Sequence, residues 1–137
     1  MSQSTGYIVA FTLTYSVKER VALQTNDLDM KAIEIIIIPV ADQQKAKEFY
    51  MKLGFKVVVE APADHGHTWL QMSLPDDKAT IALMHFHGII VETPDIEKAV
   101  QEYKAKGIEF GKIDDQPYGR FAWVKDLDGN GLCLHQK

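Results

Sequence analysis

The residues most able to do chemistry are five histidines, His65, His67, His85, His87 and His135. Imidazole ligates metals and transfers protons near neutral pH. The pairs His65/His67 and His85/His87 are spaced i, i+2, which on a strand puts both rings on one side. The plainer reading places His65 and His67 in a loop, His85 and His87 in a connection, and His135 near the C-terminus. The single cysteine, Cys133, allows no intramolecular disulfide and no CxxC pair. That usage fits a reducing compartment. No defensible Ser-His-Asp arrangement, phosphate loop or GxGxxG is present.

A second group is suited to holding a ligand. Trp69, Tyr118, Phe121 and Trp123 offer aromatic surface, and Gln71 and Arg120 offer polar groups to orient a bound molecule. Each has a plainer use. The rings could fill a core, and Arg120 could pair with a nearby acid at a strand edge. As a planar fork it could equally grip a carboxylate or phosphate.

These residues need elements to position them, and an internal repeat supplies the plan. Ile36–Val57 matches Ile89–Phe110 at a constant spacing of 53, without a gap. Asp42 falls on Asp95, Lys45 on Lys98, Ala46 on Ala99, Tyr50 on Tyr103 and Gly54 on Gly107. Each copy opens with a strand, Ile33–Val40 or Gly88–Thr93. The first is a nearly unbroken β-branched run, which predicts burial on both faces. Asp42 and Asp95 are helix N-caps. Ala46, Phe49, Tyr50 and Leu53 form one helix face, and Ile96, Ala99, Val100 and Tyr103 another. Gly54 and Gly107 end the helices.

Further strands are expected near Phe55–Glu60, Thr68–Leu74 and Ala79–His85, then Ile108–Ile113, Arg120–Lys125 and Leu132–Gln136. The fold class is therefore α+β. Two tandem βαβββ modules, 31–86 and 87–137, form a curved mixed sheet around a cleft. Residues 1–29 stand outside the repeat as an extension, either an extra edge strand (Tyr7–Val17) or an artefact, and the domain proper spans 30–137.

The run from Val40-Ala41-Asp42 through Phe49-Tyr50 to Leu53-Gly54-Phe55 resembles the opening of the vicinal oxygen chelate superfamily. That group contains glyoxalase I, extradiol dioxygenases and bleomycin resistance proteins. Pro94-Asp95-Ile96, Lys106-Gly107-Ile108-Glu109-Phe110, Gln116–Ala122 and Asp126–Gly131 carry the resemblance onward. Metal-dependent members place His or Glu in the first and last strand of each module. The resemblance puts those positions at Ile35, Ala82, Gly88 and Cys133. The first three offer no side-chain donor, and one thiolate cannot close a site needing three or four ligands. The resemblance therefore implies a metal-independent protein of the bleomycin-resistance kind, with no cofactor. It would sequester an aromatic or cationic small molecule in a hydrophobic cleft, as a homodimer. Cys133 and Ile35 would face that cleft.

An alternative keeps a divalent metal. Glu34 and His87 are also 53 residues apart. With His85 and His135 they could form a shifted metal site for a lyase, isomerase or dioxygenase. That would require the first strand to slip by one residue, exchanging its two faces. A third possibility is a non-catalytic interaction module.

Totals narrow the classes further. A net charge of −4 and a pI near 5.7 leave no basic stripe for nucleic acid. No apolar run approaches the ~20 residues that span a bilayer. Gly6–Val17 lacks the basic flank of a signal peptide, so the expected location is cytoplasmic.

Overall fold

The computed structural model describes residues 30–76 and 78–137. The expected strand Tyr7–Val17 and linker Val21–Asp29 lie outside the described residues. The chain runs β1 (Ala32–Pro39), α1 (Gln43–Lys52), β2 (Lys56–Pro62), β3 (Thr68–Ser73), β4 (Thr80–Met84), β5 (Gly88–Glu92), α2 (Ile96–Ala105), β6 (Asp114–Gln116), β7 (Gly119–Lys125) and β8 (Gly131–Gln136). Each half is βαβββ. The helices obey the repeat to the residue: from Gln43 to Ile96 and from Lys52 to Ala105 the spacing is 53.

All eight strands form one sheet in the order β2-β3-β4-β1-β5-β8-β7-β6. The modules join where β1 runs antiparallel to β5, with Ile35 opposite Ile90 and Ile37 opposite Gly88. The β1–β4 and β5–β8 pairs are parallel and the others antiparallel. The result is an α+β fold, a curled sheet with both helices on its convex side.

The caps are as the sequence requires. Asp42 Oδ1 accepts from Lys45 N and Asp95 Oδ1 from Lys98 N, both at 3.1 Å. Two glutamines absent from the sequence reading fasten the helix starts to the sheet. Gln43 Nε2 donates to Thr68 O (2.8 Å) and Leu83 O (2.7 Å). Gln136 Oε1 accepts from Ile96 N at 2.8 Å.

Under α2 the core is Val91, Ile96, Ala99, Phe110, Ala122 and Leu134; under α1 it is Leu70, Met72 and Leu83. On the concave side Ile35, Ile37, Ala82, Met84, Ile90 and Cys133 form a third cluster, the floor of the cleft.

Three expectations need correction. Burial of β1 on both faces fails: Ile35 and Ile37 are buried, but Ile33 and Ile36 are exposed among the described residues. The helices pack over strands to either side, α1 on β2 and β4 and α2 on β7 and β8, so neither helix covers the convex centre. The apolar face of α1 is narrower than its spacing implies. Ala46 and Tyr50 pack on the core, while Phe49 and Leu53 stay exposed. Finally, Ile108–Ile113 is not a strand. Phe110 turns inward beneath α2, and ladder pairing starts at Asp114 opposite Phe121.

Candidate functional site

The concave face encloses a cavity of about 520 Å³, within the ~300–1,000 Å³ usual for small-molecule sites. Ile35, Met84 and Ile90 form its floor. Trp69 and Gln71 of β3 stand on one wall, Phe121 and Trp123 of β7 on the other. This pairing follows the repeat. Gln71 lies opposite Ala82, and Trp123 opposite Cys133, the same place in the second module. The rim comes from the turn Asp64–Gly66, the connection at His85 and Phe86, and Tyr118 of the β6–β7 hairpin.

The walls are ordered by ring contacts. His67 stacks on His85 (3.8 Å, 14°), His85 meets Phe86 edge-on (5.0 Å), and Phe86 meets Trp123 at 5.7 Å. Further along the β7 wall Tyr118 meets Phe121 at 6.2 Å, and Phe121 stacks on His135 (4.4 Å, 5°). Trp123 also stands against Gly131, where a β-carbon would be 3.2 Å from its ring. Trp69 is held differently. Its Nε1–H donates to Gln71 Oε1 (3.0 Å), and Gln71 Nε2 donates to Thr80 Oγ1 (2.8 Å).

The main departure from the sequence reading is at Glu34. Moving it into the cleft was expected to need a slip of the whole strand. Instead β1 carries a bulge: Ile33 pairs with Val91 and Ile35 with Ile90, so Glu34 is the extra residue. Glu34 turns into the cavity alone, and Ile35 and Ile37 keep their places in the floor. There His135 Nδ1–H donates to Glu34 Oε1 at 2.7 Å. His135 Nε2 lies 3.1 Å from the Tyr118 carbonyl, and the ring is buried.

The histidines therefore separate. His135 and Glu34 meet. His65, His67 and His85 line the rim, while His87 is exposed in the connection and does not line the cavity. Among the described residues no group of three or more His, Cys, Asp or Glu is placed to hold a metal ion. The shifted set Glu34, His85, His87 and His135 thus does not converge.

The positions indicated by the resemblance fit a metal no better. Ile35 and Ala82 are apolar floor. At Gly88 the space for a side chain is taken by backbone, because a β-carbon there would lie 2.6 Å from Gly131 O. Cys133 is fully buried in the floor. Burial pushes its thiol up to about 12, against an ordinary 9.0, and Glu34 adds to the rise. It is a small apolar filler rather than a thiolate ligand or nucleophile.

The thiol makes a testable contribution to stability. Its folded pKa is raised, so its contribution is complete below about pH 9 and is lost as pH climbs toward about 12. The stability advantage of wild type over Cys133→Ala should shrink across that window, by up to ~1.4 kcal/mol per pH unit. Urea unfolding at stepped pH measures it. A constant difference would contradict it.

Of the residues singled out in the sequence, Trp69, Gln71, Tyr118, Phe121, Trp123 and Ile35 line the cavity. Cys133 lies beneath its surface. Arg120 is elsewhere, since its Nε donates to Asp115 Oδ1 (2.7 Å) and its Nη1 to Glu97 Oε2 (2.9 Å), tying β7 to β6 and α2. Strand alternation sends it to the face opposite Phe121 and Trp123.

Residues 32–134 match the family described as the Glyoxalase/Bleomycin resistance protein/Dioxygenase superfamily. The uncharacterized protein YetH of Bacillus subtilis (strain 168) is 29% identical over 120 residues, 78% of this chain and 99% of YetH. Among solved structures, methylmalonyl-CoA epimerase from Mycobacterium tuberculosis shares the fold, with TM-score 0.70 and 18% identity, covering 79% of this chain and 89% of its own. TnmS3, an antibiotic binding protein from Streptomyces sp. CB03234, is 27% identical over 80% of this chain and 98% of its own, with TM-score 0.39.

Proposed function

We propose a binding role for this chain, which belongs to the Glyoxalase/Bleomycin resistance protein/Dioxygenase superfamily: its cleft holds a planar aromatic cation without a metal. One observation carries the reading. Among the described residues the cavity wall combines five aromatic residues, Trp69, Phe86, Tyr118, Phe121 and Trp123, with three carboxylates, Glu34, Asp64 and Asp114, and contains no Lys or Arg. Aromatic faces attract cations and stack on flat rings. Carboxylates without neighbouring lysines or arginines repel anions. Sequestration needs affinity and no reactive group, which suits a cleft whose one thiol is buried and protonated.

A homodimer belongs to the same proposal. The exposed apolar residues Phe49, Met51 and Leu53 of α1 and Ile33 and Ile36 of β1 would be covered by a second copy. A cytoplasmic location rests on the lone thiol. Among the described residues no helix is long and apolar enough to cross a membrane.

Fluorescence titration tests the binding role, because Trp69 and Trp123 both face the cavity. The planar cation 9-aminoacridine is expected to quench them saturably and to raise the melting temperature. The aromatic anion anilinonaphthalene sulfonate should bind at least about tenfold more weakly, a difference of ~1.4 kcal/mol. Equal affinities, or no saturable binding of the cation, would overturn the reading.

A further inference from the structure

We propose that Glu34 is the group that selects for positive charge in this cavity, and that His135 is the residue that positions it. The inference rests on the binding role above and identifies its anchoring contact.

The fold departs from regularity to place this carboxylate. Strict alternation from Ile35 and Ile37 would send Glu34 to the convex face beside Ile36. The bulge opposite Val91 and Ile90 re-aims it into the cleft. A carboxylate in apolar surroundings costs free energy unless it is paired, and only one of its oxygens is served. Oε1 accepts from His135. Oε2 makes no hydrogen bond among the described residues, which leaves it for a ligand N–H. The side chain of Glu34 is 21% exposed against 9% for His135, so the carboxylate is the end the pair presents to the cavity.

Asp114 and Asp64 are exposed at the rim, and Gln116 Nε2 already donates to Asp114 Oδ2. Lys137 is bound to Glu92 at 2.9 Å and does not line the cavity. Glu34 is thus the carboxylate set among the rings that would sandwich a flat ligand.

His135 is fixed on three sides. Phe121 stacks on its ring, Glu34 holds Nδ1, and the Tyr118 carbonyl faces Nε2. The chain is shaped around it at Gly119, whose φ of +140° suits glycine. A β-carbon there would meet His135 Nε2 and lie 2.7 Å from Gln136 O. With its ring so held, His135 fixes the carboxylate's direction. The ligand class that matches is a planar aromatic cation with N–H donors beside its charge.

The test compares 9-aminoacridine with acridine, in buffer basic enough to leave acridine neutral, on the full chain. Wild type should favour the cation by about tenfold or more, each tenfold being ~1.4 kcal/mol. Glu34→Gln should abolish that preference, the loss falling mainly on 9-aminoacridine, and His135→Leu should lose most of it. His135→Asn, whose amide keeps a donor near the Nδ1 position, should restore part of it. Equal loss for both ligands in Glu34→Gln, or an unchanged preference, would overturn the role of Glu34. Identical selectivity in the Leu and Asn variants would overturn positioning by His135. Failure of wild type to bind either compound would sink the binding role itself. Should His135→Leu not fold, the Asn variant and Glu34→Gln decide the matter.

Discussion

Replacing Gly88 by alanine is expected to destabilise the protein by about 3 kcal/mol or more, as overpacking against immobile atoms does. Gly88 opens β5 at the centre of the sheet, in parallel register with Gly131. A β-carbon there would lie 2.6 Å from Gly131 O and 3.1 Å from its carbonyl carbon. Both are backbone atoms of a paired strand, and Gly131 is itself bonded to His87 O (2.9 Å) and backs Trp123. Neither strand can move without disturbing the floor of the cleft. Urea unfolding of Gly88→Ala should show the loss as a lowered midpoint with little change in slope. The result bears on chemistry as well as stability. The family resemblance would put a metal ligand at this position, and any ligating side chain begins with the same β-carbon. A variant as stable as wild type would mean that β5 and β8 can separate, and the position would be open to a donor after all.

Leu134→Ala is expected to cost about 2–5 kcal/mol, the range for deleting a fully buried leucine. Leu134 is inaccessible to solvent and packs with Ile96, Ala99 and Ala122 beneath α2. The more informative result is the shape of the transition. The modules share one sheet through β1 and β5, with the concave cluster of Ile35, Ile37, Ala82, Ile90 and Cys133 built from both. We propose that residues 30–137 unfold as one cooperative domain. Tryptophan fluorescence and far-UV circular dichroism should then shift together in Leu134→Ala. A first module that survives the mutation, seen as a second transition, would contradict a single domain.

The legibility of the site differs from residue to residue. Trp69, Gln71, Phe121 and Trp123 are candidates for the cleft in sequence because strand alternation and the repeat are local rules, and all four line the cavity. Arg120 was ambiguous in sequence. Its parity on β7 argued against the cleft, but its partners Asp115 and Glu97 are identified only by the chain's return past α2. At Glu34 the sequence points to a slipped strand, whereas the structure has a bulge. Regular alternation excludes it from the cleft, and no residue around it marks a bulge; the signal available was an acidic side chain inside an isoleucine run. His135 was expected near an exposed C-terminus. It is buried because β8 lies between β5 and β7, well inside the sheet. The rim stack of His67 and His85 joins residues from separate strand ends and had no signal in sequence spacing.

The module is legible along the chain: its order of elements, its caps, its 53-residue repeat and hence the superfamily. These follow from hydrophobic period, turn chemistry and capping, each decided within a few residues of chain. Which polar groups meet inside the cleft emerges only in three dimensions. Glu34 and His135 are 101 residues apart and come within 2.7 Å. Their meeting depends on one irregular pairing between β1 and β5 and on the close approach allowed at Gly119. Register across strands is set by the packing of the whole sheet, so a local reading of the chain has no access to it.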